Sequence, residues 1–155
     1  MKLSAESLQS LPEFFRPIND PRRPQGRRHP LPAVLAIATA AVLCGARGYQ
    51  AIADWAQALS QQARGRLRCR YRHGQYWVPS ESSLRDVLIR VDPVALDQAF
   101  QNWHEHYGAV DETLAIDGKT LRHAIDESDR QTHVMSAIGH QSKPCYTQKK
   151  WEPCR

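Results

Sequence analysis

Leu114-Ala115-Ile116-Asp117-Gly118-Lys119-Thr120-Leu121-Arg122 is the stretch on which the fold of this chain turns. Leu114 and Ile116 alternate with small or polar neighbours, as a half-buried strand requires. Gly118 frees the backbone to turn, so the pattern predicts Asp117 at the strand's tip beside Lys119 and Arg122. A carboxylate held there suits a divalent cation, and cationic neighbours suit a phosphate. Asp-Gly is equally a strong hairpin signal, so a plain β-turn capped by Asp117 satisfies the same residues.

Working outward, the flanking sequence has two characters. Residues 1–80 hold 12 Lys/Arg against 4 Asp/Glu, whereas residues 81–155 hold 9 against 12, within a total formal charge of +5. A basic front half suggests a surface for a polyanion, although charge runs also serve simply as solvated faces. With 41% apolar and 24% charged residues, the 155-residue chain suits a soluble protein of one domain, or of one small domain and part of another. The longest apolar run, Leu31 to Ala46, is broken by Pro32 and Thr39 and is too short to span a bilayer. Residues 1–10 lack an apolar signal core, so the expected location is the cytoplasm. There Cys44, Cys69, Cys145 and Cys154 read as reduced thiols. A metal site assembled from Cys69, His73, His104 and His106 would match no common zinc spacing. Neither an internal repeat nor a low-complexity tract interrupts the chain.

The front half reads as helices. Ser4 caps a short one over residues 5–11, stopped by Pro12. Residues 16–30, with four prolines and Arg16, Arg22, Arg23, Arg27 and Arg28, read as an extended basic arm. An Ala-rich helix from Pro32 to Cys44, apolar on most faces and closed by Gly45, is the expected centre of a bundle. The next, about Tyr49 to Ala63, aligns Ile52, Trp55, Ala56 and Leu59 and ends at Gly65. Arg64, Arg66, Arg68, Arg70 and Arg72 then recur at every second position, interleaved with Tyr71, Tyr76 and Trp77. If extended, they place five guanidinium groups on one side, a composition suited to nucleic acid. Ser80 and Asp92 cap two amphipathic helices, with stripes Leu84/Val87/Leu88/Val91 and Leu96/Phe100/Trp103/Tyr107, the second ending at Gly108. They form either a helix-turn-helix displaying Arg85 and Arg90 or ordinary bundle packing. Beyond Gly108 the period changes to strands at residues 113–117, 133–138 and 145–149, with a polar loop at 126–131.

Taken together, Asp20-Pro21-Arg22, Gly26, His29-Pro30-Leu31, Gly45-Ala46, Pro79-Ser80, the Asp117 to Arg122 block and His133-Val134-Met135-Ser136-Ala137 resemble the H-repeat-associated transposases of bacterial insertion sequences. The resemblance runs nearly to Lys150, and the block from Ala115 to Arg122 is its most specific part. It implies an α+β chain: an N-terminal all-helical domain over residues 1–108, then, over 109–155, the first three antiparallel strands of an incomplete ribonuclease-H-like domain. It implies DNA at the element's ends as partner, with the chain itself or an intact transposase as further partners, and neither a membrane nor a small-molecule substrate. Asp117 is implied as the first of three acidic residues that hold two magnesium ions for strand transfer. Two ions about 3.5–4 Å apart clamp the attacking and leaving oxygens, and a strand supplies a rigid mount. Residues 151–155 do not match the family's continuation, and the second Asp and the Glu are missing. A truncated copy, inactive alone and holding magnesium weakly or not at all, is therefore expected; its alternatives are a DNA-binding remnant that inhibits an intact transposase and a decayed gene product. The residues expected on DNA are Arg22, Arg23, Arg27, Arg28, Arg64, Arg66, Arg68, Arg70, Arg72, Arg85, Lys119 and Arg122.

Overall fold

Nine apolar residues of one helix, α2 (Leu31–Leu43), are buried, which fits its all-round apolar sequence. Pro32 sits in its first turn, where a missing N–H costs nothing. Its far end closes where the Gly45 N–H reaches the Val42 carbonyl and the Ala46 N–H reaches that of Ala41. A computed structural model describes residues 5–107, 114–125, 131–139 and 145–151 of the chain. Residues 2–102 and 103–155 form two separate units. The class is α+β, mostly helical with small antiparallel sheets.

In the first unit α2 packs against α1 (Ala5–Phe14), α3 (Tyr49–Ala58) and α5 (Glu81–Arg90). Pro12 lies inside α1 and does not stop it. A proline there costs about 3 kcal/mol. Leu11 and Phe15, both fully buried, offset that with roughly 1.5–3 kcal/mol each. Phe15 also meets the edge of Phe100 in α6 (Pro93–Tyr107), ring centroids 5.3 Å apart. The stripe of α5 is buried at Leu84 and Val87, and Ser80 caps that helix by accepting from the Ser83 N–H. Asp92 caps α6 through the Val94 N–H, as its sequence predicts.

The expected helix over residues 49–63 is two helices. α3 ends at Ala58, and Ser60 begins α4 (Gln61–Arg66) by accepting from the Ala63 N–H. Gly65 is therefore inside a helix and stops nothing. A Cβ there would lie 2.9 Å from the Tyr76 ring, so glycine is needed for close approach. The actual stop is Arg68, at φ +58°, whose N–H bonds the Gly65 carbonyl while the Cys69 N–H bonds that of Arg64. Two short strands follow, β1 (Arg70–Arg72) and β2 (Gln75–Trp77), so the first unit is not all-helical. His73 and Gly74, at φ +51° and +79°, supply the two left-handed residues of a tight hairpin turn.

Residues 16–30 are not a loose arm. Arg22 is 5% exposed. Asp20 Oδ1 accepts from the Arg22 backbone N–H at 3.0 Å and from Arg22 Nε at 2.9 Å, and Oδ2 accepts from Arg22 Nη2 at 2.7 Å. Nη2 also donates to the His29 carbonyl at 2.8 Å. Arg27 donates to the carbonyls of Arg22 and Asp20, and Arg90 to that of Pro21. Burial alone would raise the Asp20 carboxyl, but hydrogen bonds from Arg22, then the charges of Arg22 and Arg27, hold it below its ordinary value.

The second unit contains three strands, β3 (Leu114–Ile125), β4 (Gln131–Gly139) and β5 (Cys145–Trp151), antiparallel in the order β3-β4-β5. β3 continues through Asp117-Gly118: Asp117 pairs with Ser136, Gly118 with Met135 and Lys119 with Val134. Asp117 is thus the fourth residue of twelve, neither at a strand tip nor in a turn. Glycine permits a turn without imposing one, and a continuous ladder keeps it extended. The expected cap at Ser4, the helix stop at Gly108, residues 126–130 of the expected polar loop and the last four residues lie outside the described residues.

Two substitutions test this packing. Asp20→Ala leaves the Arg22 guanidinium buried without its counter-ion and is expected to cost about 3–5 kcal/mol in denaturant unfolding. Arg68→Gly removes a left-handed L-residue and gives up an exposed contact with Glu13 at 3.4 Å. It is expected to stabilise by roughly 1 kcal/mol, read as a raised midpoint in the same experiment.

Candidate functional site

The hairpin register sorts the alternating side chains. Arg70 stands opposite Trp77 and Arg72 opposite Gln75, while Tyr71 stands opposite Tyr76. Because faces alternate along a strand, Arg70, Arg72 and Trp77 share one side and the two tyrosines the other. On the tyrosine side the rings lie 4.9 Å apart and Tyr76 covers Gly65. On the arginine side the hairpin meets residues 28–29, and Arg28, His29, Arg70, Arg72, His73 and Trp77 line an open cleft of about 590 Å³. A second cleft of about 450 Å³ adjoins it through the shared Arg28 and Arg70, and reaches Pro24 and Arg27.

The arginines expected on DNA divide into two groups. Arg22, Arg27, Arg64 and Arg68 are spent within the fold. Arg22 and Arg27 brace the Asp20 loop, Arg64 donates to the carbonyls of Gln57 and Tyr76, and Arg68 faces Glu13. Arg22 is the plain correction, because a buried guanidinium gripped by a carboxylate faces no ligand. Arg23, Arg28, Arg66, Arg70, Arg72 and Arg85 have no carboxylate partner among the described residues. The alternation never makes one extended row: Arg64 and Arg66 lie on α4, Arg68 in its cap, and Arg70 and Arg72 on β1.

Trp77 is half-exposed at 48%, and its Nε1–H donates to the Arg72 carbonyl at 3.1 Å. The indole is thereby fixed beside the two strand arginines. The sequence pattern grouped Trp77 with Tyr71 and Tyr76 among aromatics suited to nucleic acid, without separating the faces, and gave His29 no binding role. The signal available was His73-Gly74 between two basic-aromatic runs, a hairpin turn that puts Trp77 across from Arg70. His29 is pushed below its ordinary value by burial, then by the charges of Arg70, Arg22 and Arg28; a hydrogen bond with the Trp77 backbone works the other way. Both burial and the neighbouring arginines thus favour its uncharged form.

The remaining candidates lie on β3, with Asp117 in a row with Ser136 and, beyond it, Gln148. Lys119 is two positions on, and Arg122 falls where the register shifts between Thr120 and Ile125. Among the described residues no three His, Cys, Asp or Glu converge as a metal site, so Cys69 and His73 make none. Cys69 is a buried free thiol that burial raises to about 11, while Cys44 is exposed. No helix among the described residues is long and apolar enough to cross a membrane.

The profile of the DDE_Tnp_1-associated family matches residues 12–104, which includes every residue of both clefts. The chain belongs to the H-repeat-associated transposase family. Relatives agree with that membership. The protein named "Putative transposase YncI" of Escherichia coli (strain K12) is 28% identical over 152 residues, 94% of this chain and 58% of that protein. The "H repeat-associated putative transposase YhhI" of the same strain is 30% identical over 135 residues, 84% of this chain and 34% of the relative. An uncharacterised protein from the dhlA 3′ region of Xanthobacter autotrophicus is 31% identical, over 95% of this chain and 50% of its own length. The chain therefore spans between 34% and 58% of these family members. No solved structure matches it.

His29 sets a pH response in this transposase-family protein. Its folded value lies below the ordinary 6.5, so in that interval the unfolded chain binds more protons and stability rises with pH. The contribution is present above 6.5 and is lost as pH falls through the folded value. A thermal melt is expected to weaken on acidification below 6.5, with His29→Gln flattening that limb; Asp20 acts in the same direction only below 3.8.

Proposed function

We propose that the first unit is a DNA-binding module of a transposase, holding the phosphate backbone along the two clefts at the hairpin. The observation that carries this reading is the convergence of Arg28, Arg70 and Arg72 on one open surface with no carboxylate partner among the described residues. Guanidinium groups left unpaired at a surface suit phosphate oxygens, which they meet in a bidentate fork. Arg23 extends the same basic surface along the loop. Arg66 and Arg85, exposed and without a carboxylate partner, supply further phosphate contacts on α4 and α5.

The α5–α6 pair contributes less to this reading than a groove-inserted helix would. Arg90 is spent on Asp86 and on the Pro21 carbonyl, and the exposed positions of α6 include Asp97 and Glu105. Carboxylates on the inserted helix would meet the phosphate backbone as like charges. The proposed DNA path therefore centres on the hairpin and reaches this pair only through Arg85, with neither helix inserted into a groove.

Asp117 is proposed as an acidic residue of the family's DNA-processing centre, on a ribonuclease-H-like sheet that begins with β3, β4 and β5. Lys119 and Arg122 on the same strand are proposed phosphate contacts. Its register row offers one carboxylate with Ser136 and Gln148. A single carboxylate holds magnesium only weakly, because the ion demands near-ideal six-fold oxygen coordination.

The test is duplex DNA affinity measured across a salt series. Affinity is expected to fall steeply with salt, and Arg28→Gln, Arg70→Gln and Arg72→Gln each to reduce the slope of log K against log salt by about 1. Asp117→Ala is expected to leave that slope unchanged. Salt-insensitive binding, or none, would remove the proposal.

A further inference from the structure

Beside the arginines the cleft contains an aromatic surface that duplex phosphates do not need. Trp77, a residue nearly half exposed, lies on the same side of the hairpin as Arg70 and Arg72. Its ring is not free to swing away, because Nε1–H is bonded to the Arg72 carbonyl across the hairpin. Around it stand Arg28, Arg70 and Arg72, with His29 also lining the cleft. A fixed aromatic plane flanked by cations that lack carboxylate partners is the arrangement that stacks a base while its phosphates are held on either side. In a duplex each base already lies between its neighbours, so its face is not available.

We propose that this hairpin face binds single-stranded DNA, with an unpaired base stacked on Trp77 and the adjoining phosphates on Arg28, Arg70 and Arg72. The inference rests on the DNA-binding reading above and adds the strandedness of the ligand. The occupant is set by charge and shape together. The cationic cleft selects a polyanion, and the indole selects one whose aromatic groups are unstacked. An acidic peptide satisfies the first condition and offers the indole no matching plane.

The experiment uses the full chain and three probes: an oligothymidine strand, a duplex of equal length, and heparin as a polyanion without bases. Trp77→Leu is expected to weaken binding of the strand by roughly tenfold, and to leave the duplex and heparin nearly unaffected. Trp77→Phe, which keeps an aromatic plane, is expected to retain most of the strand affinity. It should also lose part of the tryptophan quenching that the strand produces in the unmodified chain. Arg70→Gln weakens all three probes, which shows that the charge term is shared. Equal losses on strand and heparin with Trp77→Leu, or no loss on the strand, overturn the stacking role. Wild-type binding to duplex but not to the strand also overturns it and leaves the DNA-binding reading standing. Failure to bind either DNA overturns both. Far-ultraviolet circular dichroism of each variant separates loss of stacking from loss of fold.

Discussion

The fork between Arg22 and Asp20 is the constraint on which the first unit depends. A guanidinium with a side chain 4% exposed is held by a carboxylate that is itself 15% exposed, through two hydrogen bonds to the two carboxylate oxygens, and the Arg22 backbone N–H adds a third to Oδ1. Removing either partner would leave an uncompensated charge in a poorly solvated place, so the two stay together. The same guanidinium reaches the His29 carbonyl, immediately before the proline that leads into α2. One side chain thereby anchors the loop, the entry to the central helix and the stretch carrying Arg28 and His29. Arg27 and Arg90 brace the loop from outside. The cleft is consequently built on a fixed wall, even though its sequence is rich in proline and arginine.

Five arginines at even spacing show how local backbone decides what a charge does. On α4 the Arg64 guanidinium turns inward to two carbonyls while Arg66 stays in solvent. At the helix end Arg68 takes the left-handed position that glycine usually fills. Only in the strand do alternate positions share a face, and there Arg70 and Arg72 come together beside Trp77. Equal spacing in sequence produced three environments because the chain changes its period twice within nine residues, from Arg64 to Arg72.

Much of the helical unit was legible. The apolar run of α2, the caps at Ser80 and Asp92, and the buried stripe of α5 follow directly from side-chain type and spacing. The family was legible too, from motifs distributed along the chain. What could not be read were choices made by tertiary contact. Pro12 stays in α1 because Leu11 and Phe15 are buried around it, and Gly65 stays in α4 because the Tyr76 ring rests on it. Asp117-Gly118 stays in β3 because β4 pairs straight across it. Arg22 looked like part of a DNA-binding arm because burial and a carboxylate partner two residues away leave no mark on composition. The short spacing of Asp20 and Arg22 was the available clue, and the hairpin at His73-Gly74 was another.

The indole hydrogen bond at Trp77 has a bearing on base selectivity. Because Nε1–H is satisfied by the Arg72 carbonyl, the ring presents only its π-face and carries no donor with which to tell one base edge from another. A surface of that kind accepts purines and pyrimidines alike, with preference graded by stacking strength alone. On the proposed reading, recognition of a particular sequence falls to other parts of the protein, and this hairpin serves as an indifferent handhold on whatever strand is presented to it.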